Sequence, residues 1–166
     1  MTRRAVLITV VLLLAAGGAQ AQALFTPGQP RAAGKYLHFL AGMAAGFESA
    51  GIFECALGPT ETARSWPLSP VIALSGSALA GIAKEILDST GFGDPRLTDA
   101  LITTAGGLVA AGAMLFAHLI LPPDADGWAG SQAFAQTSAA LLSIPVAVGF
   151  IVEIQRYKAR RAAEGK

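Results

Sequence analysis

Lys35, His38, Lys84, Glu85, Asp88, Asp99 and Thr103 are the residues of this chain whose types and spacing could do chemistry. Lys35 and His38 open one apolar segment, Lys84, Glu85 and Asp88 close a second, and Asp99 with Thr103 opens a third. If the three segments cross a bilayer in alternating directions, those ends meet at one membrane face. Ionisable side chains aimed into a membrane bundle mark a functional site, because exposing them to lipid is costly. Glu85 and Asp88, at i and i+3, could form an acid/base pair if proximity separates their proton affinities. The competing reading is a salt-bridged helix cap in which Lys84 neutralises both. Glu85 leads the set, one turn beyond Gly81 on the packing stripe, with Asp99 and His38 next.

The donor types of His38, Glu85, Asp88 and Asp99 suit several divalent ions. No HExxH or ExxH pair accompanies them, so no metal is assigned and the cofactor is left open. His38 and His118 fall at opposite ends of segments that run in the same direction, which disfavours joint haem ligation. Ser75-Gly76-Ser77 lacks the GxSxG setting of a nucleophile elbow and reads as helix packing. The single Cys55 excludes an internal disulfide and a CxxC pair; it reads as a small apolar residue of a helix.

The elements that must position these groups are helices in a membrane. Over 166 residues, 53% of side chains are hydrophobic and 14% charged; the mean hydropathy is +0.53. Such a chain is too apolar for an ordinary soluble domain. A net charge of +1, with basic residues clustered only at the C-terminus, gives no footprint for nucleic acid. Residues 1–21 read as a signal peptide: Arg3 and Arg4, the apolar run Ala5 to Ala16, then the small-x-small site Ala19-Gln20-Ala21. A retained signal anchor is the alternative, although the run is short of the ~20 residues a span needs. Residues 22–35, with Pro27, Gly28, Pro30 and Gly34, read as a linker.

A helical membrane domain is expected over residues 36–155. Its first helix should run from Tyr36 to Leu57 and stop at Gly58-Pro59, with Glu48 and Glu54 turned inward or towards an interface. Ser69 as N-cap and Pro70 should start a second helix reaching Asp88, ended by Gly91 and Gly93. Ala100 to Pro123 is the clearest span, free of Asp, Glu, Lys and Arg. After a loop over 122–130, with Trp128 as an interface anchor, Ala133 to Val152 forms a fourth span kinked at Pro145. Residues 156–166 form a basic tail with Arg156, Lys158, Arg160, Arg161 and Lys166. The fold class is therefore all-α, a polytopic bundle of about four spans after the signal; a three-span form with the first helix at the surface is the alternative. Four spans after a cleaved signal place the tail outside, against the positive-inside rule. The signal's direction is taken to override the tail.

Helical spacing sorts each span into faces. Asp99, Thr103, Gly106, Ala110, Ala113 and Ala117 share one stripe of the third helix, with Leu101, Leu108, Leu115 and Leu119 opposite. The small stripe is expected to pack and the leucines to meet lipid. Ser77, Gly81, Glu85 and Asp88 repeat the arrangement in the second helix, and His38, Gly42, Ala45 and Ser49 in the first.

The run Gly81-x-x-Lys84-Glu85-x-x-Asp88-Ser89, followed by Gly91 or Gly93, Asp99 and Gly106, resembles the YfiM-type lipoprotein family, and Lys35-x-x-His38-Phe39 fits the same pattern. The set is also similar to VanZ-like membrane proteins, where a basic residue and His begin one helix, Glu ends a later one and an Asp-x-x-Asp-x-x-x-Asn-x-x-Gly series opens the next. Here that series reads Arg96, Asp99, Thr103 and Gly106, so its first Asp and its Asn are replaced, and the lipoprotein Cys is missing. The resemblance spans roughly residues 35 to 110 and implies an envelope-associated protein without supplying a reaction. The expectation is a multi-pass protein of the bacterial inner membrane, partnered by the lipid bilayer, whose polar cluster binds an envelope headgroup or a protein partner. The alternative is a metal- or carboxylate-dependent enzyme acting on a lipid-linked substrate.

Overall fold

A computed structural model describes residues 30–65, 68–92, 95–121 and 125–164, and these contain helices and no strand. Helix α1 runs Pro30–Ser65, α2 Leu68–Leu87 with a π-helical turn Asp88–Phe92 after it, α3 Leu97–Ile120 and α4 Ala125–Ala163. Each contains a stretch long and apolar enough to cross a membrane: Gly34–Gly58, Leu68–Gly91, Leu97–Ile120 and Asp126–Ala163. The expected signal peptide and Lys166 lie outside the described residues.

Several element ends differ from the sequence expectation. Helix α1 begins inside the expected linker, at Pro30, which has no N–H to waste at a first helical position. At Gly58 the backbone takes φ 73°, breaking the helix where a stop was expected, but helical structure resumes as far as Ser65. Ser69 is not an N-cap: α2 starts at Leu68, and the Ser69 hydroxyl is buried with no hydrogen-bond partner among the described residues. Gly91, at φ 102°, turns the chain out of the π-helical segment; Ser89 and Thr90 donate to the carbonyls of Ile86 and Leu87 at 2.6 and 2.7 Å, satisfying acceptors that a helix end leaves open. Helix α4 takes in Trp128, continues through Pro145 and carries the basic tail as helix to Ala163. Trp128 thus lies in the first turn of α4, and residues 156–163 of the expected tail are helical.

Helix α1 is the centre of the bundle. Helices α2 and α3 pack on it and on each other, α4 packs on its other side, and α4 meets α3 only slightly. The approach of α1 to α3 is close because neither contact position has a side chain. A Cβ on Gly42 would lie 1.8 Å from the Thr103 carbonyl oxygen, and one on Gly106 2.0 Å from that of Phe39. In a membrane, where lipid is as apolar as the helices, such proximity supplies the packing that holds them together. Ser77 adds a polar tie, its hydroxyl donating to the carbonyl of Gly42 at 2.6 Å or of its own helix at Ala73, 3.0 Å. The stripes fall as their spacing demands: Thr103, Gly106, Ala110 and Ala117 are buried, whereas Leu101, Leu108, Leu115 and Leu119 are exposed.

Candidate functional site

The alternation of helices brings the start of α1, the end of α2 and the start of α3 to one end of the bundle. Lys84 is the hub there. Its ammonium lies 3.0 Å from Glu85 Oε1, 2.5 Å from Asp88 Oδ2 and 3.4 Å from Asp99 Oδ2. The Lys84 side chain is 23% exposed and the three carboxylates 13–16%, so the network is largely enclosed by protein. Glu85, one turn beyond Gly81, also accepts the backbone N–H of Arg96 through Oε2, which clamps the end of α2 to the entry of α3. Asp99 sits in the first turn of α3, where a carboxylate complements the helix dipole. It reaches α1 as well: His38 Nε2 is 3.4 Å from Asp99 Oδ2. Thr103 joins only locally, donating to the Asp99 carbonyl at 2.9 Å while its buried face packs on α1.

Of the residues named from sequence, His38, Lys84, Glu85, Asp88, Asp99 and Thr103 come together. Lys35 does not; it is exposed and makes no ion pair among the described residues. His38 is buried, with Phe150 of α4 edge-on at 5.7 Å and its Nδ1 without a hydrogen-bond partner among the described residues. Glu153, which the sequence reading did not single out, belongs to the same end: a Cβ on Gly34 would lie 2.7 Å from its Oε1. Its signal was present, since it is the first charge after the apolar run of α4.

A second polar cluster, unforeseen as a unit, closes the opposite end. Glu54 is fully buried, and its Oε1 lies 2.8 Å from His118 Nε2 and accepts the Ser131 hydroxyl at 3.0 Å. The indole N–H of Trp128 donates to the Glu54 carbonyl at 3.1 Å. Residues from α1, α3 and α4 thus meet where α3 and α4 otherwise barely touch. The expectation that Glu54 turns inward matches this placement, and His38 and His118 stand at opposite ends of parallel helices.

Comparison with protein-family models, with curated proteins and with solved structures gave no match. The reading of the site therefore rests on its own geometry.

The two clusters bracket an apolar slab. At 1.5 Å of rise per residue, His38 to Glu54 spans about 24 Å, Asp99 to His118 about 28 Å and Ser131 to Glu153 about 33 Å. Those lengths are comparable with the ~30 Å thickness of a bilayer's hydrocarbon. Among the described residues, no group of three or more His, Cys, Asp or Glu side chains is arranged to hold a metal ion. Chemically, the Lys84 end offers carboxylate oxygens in excess of ammonium donors, plus one imidazole nitrogen without a hydrogen-bond partner among the described residues.

Proposed function

We propose that this chain is a multi-pass protein of the bacterial cell envelope, resident in the inner membrane, whose polar site at one membrane face binds an envelope lipid headgroup or the loop of a protein partner. The kinship with YfiM-type and VanZ-like envelope proteins belongs to the same proposal. The supporting observation is the Lys84 network itself, which ties the end of α2 to the start of α3 by charge, with His38 of α1 3.4 Å from Asp99 at the same end of the bundle. One ammonium shared by three carboxylates leaves acceptor oxygens for a ligand that donates. An amine-bearing headgroup, whose ammonium can meet the surplus carboxylate oxygens, fits that electrostatics better than one with no cation. Thermal unfolding of detergent-purified protein, with added phosphatidylethanolamine or phosphatidylglycerol, tests it. Phosphatidylethanolamine should raise the midpoint of the wild type and not that of Asp99→Asn; equal responses to both lipids, or none, would remove the headgroup reading.

An enzymatic reading has one specific observation in its favour. His38 faces a carboxylate through Nε2 and keeps Nδ1 buried and without a hydrogen-bond partner among the described residues, the arrangement of a base held by an orienting group. Among the described residues no nucleophile is paired with it, which is why binding is preferred. Elemental analysis discriminates between the two classes: stoichiometric zinc or manganese lost on His38→Ala would move the preference to the enzyme reading.

A further inference from the structure

Glu48 is the one carboxylate of the α1 span that the bundle does not use. Glu54 is buried in its cluster, whereas Glu48 is exposed and makes no hydrogen bond or ion pair among the described residues. It lies ten residues after His38 and six before Glu54, well inside the slab those residues bracket. Ile52 and Cys55, four and seven residues on, are exposed with it, so one side of α1 stays open to the surroundings. The neighbours define its edges. Helix α2 abuts α1 at Ser49, where a Cβ on Gly76 would lie 2.0 Å from the Ser49 hydroxyl. Helix α4 abuts it at Gly51, whose Cβ would lie 3.4 Å from Gln136 Cγ. Gln136 is itself exposed, and its amide makes no hydrogen bond among the described residues.

A carboxyl and a carboxamide therefore stand about one helical turn apart in depth, on an open notch facing hydrocarbon. Lipid tails satisfy neither, and polar groups in a bilayer turn to protein partners. We propose that the notch is a self-association surface, on which two copies of this chain pair Glu48 of each with Gln136 of the other. The chemistry is self-complementary: the carboxyl accepts and the amide donates. A two-fold axis along the membrane normal keeps every residue at its own depth. Because Glu48 and Gln136 differ by only about one turn, their long side chains can meet across such an axis, and an isologous contact repeats the pair twice. Ala140 and Ala147, exposed on the same side of α4 as Gln136, leave room for close approach.

The test is subunit counting by single-molecule photobleaching of the full chain in liposomes, over a range of protein-to-lipid ratios. Wild type should titrate from monomer to dimer. Glu48→Leu and Gln136→Leu should each raise the dimer dissociation constant at least tenfold with helix content unchanged, since neither side chain holds the monomer together. The exchange Glu48→Gln with Gln136→Glu should restore dimerisation, while Leu108→Ala on the exposed face of α3 should leave it as in wild type. A wild type that stays monomeric at every density, or dimers indifferent to both leucine variants, would overturn the proposal.

Discussion

Replacing Lys84 by Met keeps the aliphatic stem and removes only the charge, leaving Glu85, Asp88 and Asp99 without their common counterion. At separations of 2.5–3.4 Å, each attraction is about 5–7 kcal/mol before desolvation at an effective dielectric of about 20. Desolvation offsets most of that, and the measured cost of removing one partner from a buried pair is ~3–5 kcal/mol, against ~0–1 for a solvated surface pair. The side chains are 13–23% exposed, which places the expected loss near the lower end of the buried range, about 3 kcal/mol. Reversible unfolding of purified protein in mixed detergent, followed by circular dichroism, measures it. Arg156→Met, in the exposed extension of α4, serves as the comparison and should change stability by less than about 0.5 kcal/mol. Adding Asp88→Asn to Lys84→Met should recover part of the loss, because one repelling carboxylate disappears, and the cycle should give a coupling above about 1 kcal/mol. If Lys84→Met costs no more than Arg156→Met, the network is a solvated cap and the enclosed-site reasoning fails.

Gly106→Ala should abolish the compact fold or cost more than about 3 kcal/mol, because the new methyl would strike the Phe39 carbonyl at 2.0 Å. Gly112→Ala, where nothing lies within 4 Å, should be neutral or stabilise by up to about 1 kcal/mol through helix propensity; the same unfolding assay checks both. Glu54→Leu should destabilise by about 2–4 kcal/mol, since it leaves the partly buried His118 and the buried Ser131 without their shared acceptor. A loss no larger than that of Glu48→Leu would show that the cluster does not hold the bundle.

The polar end of the bundle was legible because it depends only on alternation and on helical period, and both are written in the chain. Gly81, Glu85 and Asp88 fall on one face at any plausible helix boundary. The ranking within the set was not legible. Glu85 stood out from its place on the stripe, whereas Lys84 proves to be the hub, and only coordinates show which carboxylates a flexible four-carbon stem reaches. Lys35 lies three residues before His38, near enough in rotation to share its side of the helix, yet its side chain stays exposed and joins no ion pair among the described residues. The Glu54 cluster escaped because its members sit 64 and 77 residues apart in the chain and follow no spacing rule. Boundaries were only partly legible: the break at Gly58 carried its local signal, whereas the early start at Pro30, the helical turns after Gly58 and the inclusion of Trp128 in α4 have no such deciding signal in the chain.

The two clusters acquire a joint role once α1 and α3 are viewed as a parallel pair. Between their ends the pair comes closest at small residues, Gly42, Gly46, Gly106 and Ala110, beside the larger buried Leu40, Met43, Phe47 and Met114; a small-residue seam by itself does not select one register over another a turn away, about 5.4 Å. Gly42 against Thr103 and Gly106 against Phe39 set how near the helices come, and Gly46 against Ala110 continues the close contact one turn along. What distinguishes the registers is at the extremities. His38 meets Asp99 at one end and Glu54 meets His118 at the other, so a slip of one turn in either direction would break both pairs together and leave four ionisable groups near hydrocarbon. Desolvated charge pairs are uncertain contributors to stability, and their best-attested use is to fix registry. Here they stand at both ends of the closest helix contact, which holds Asp99 at the level of Lys84 and so keeps the polar site assembled.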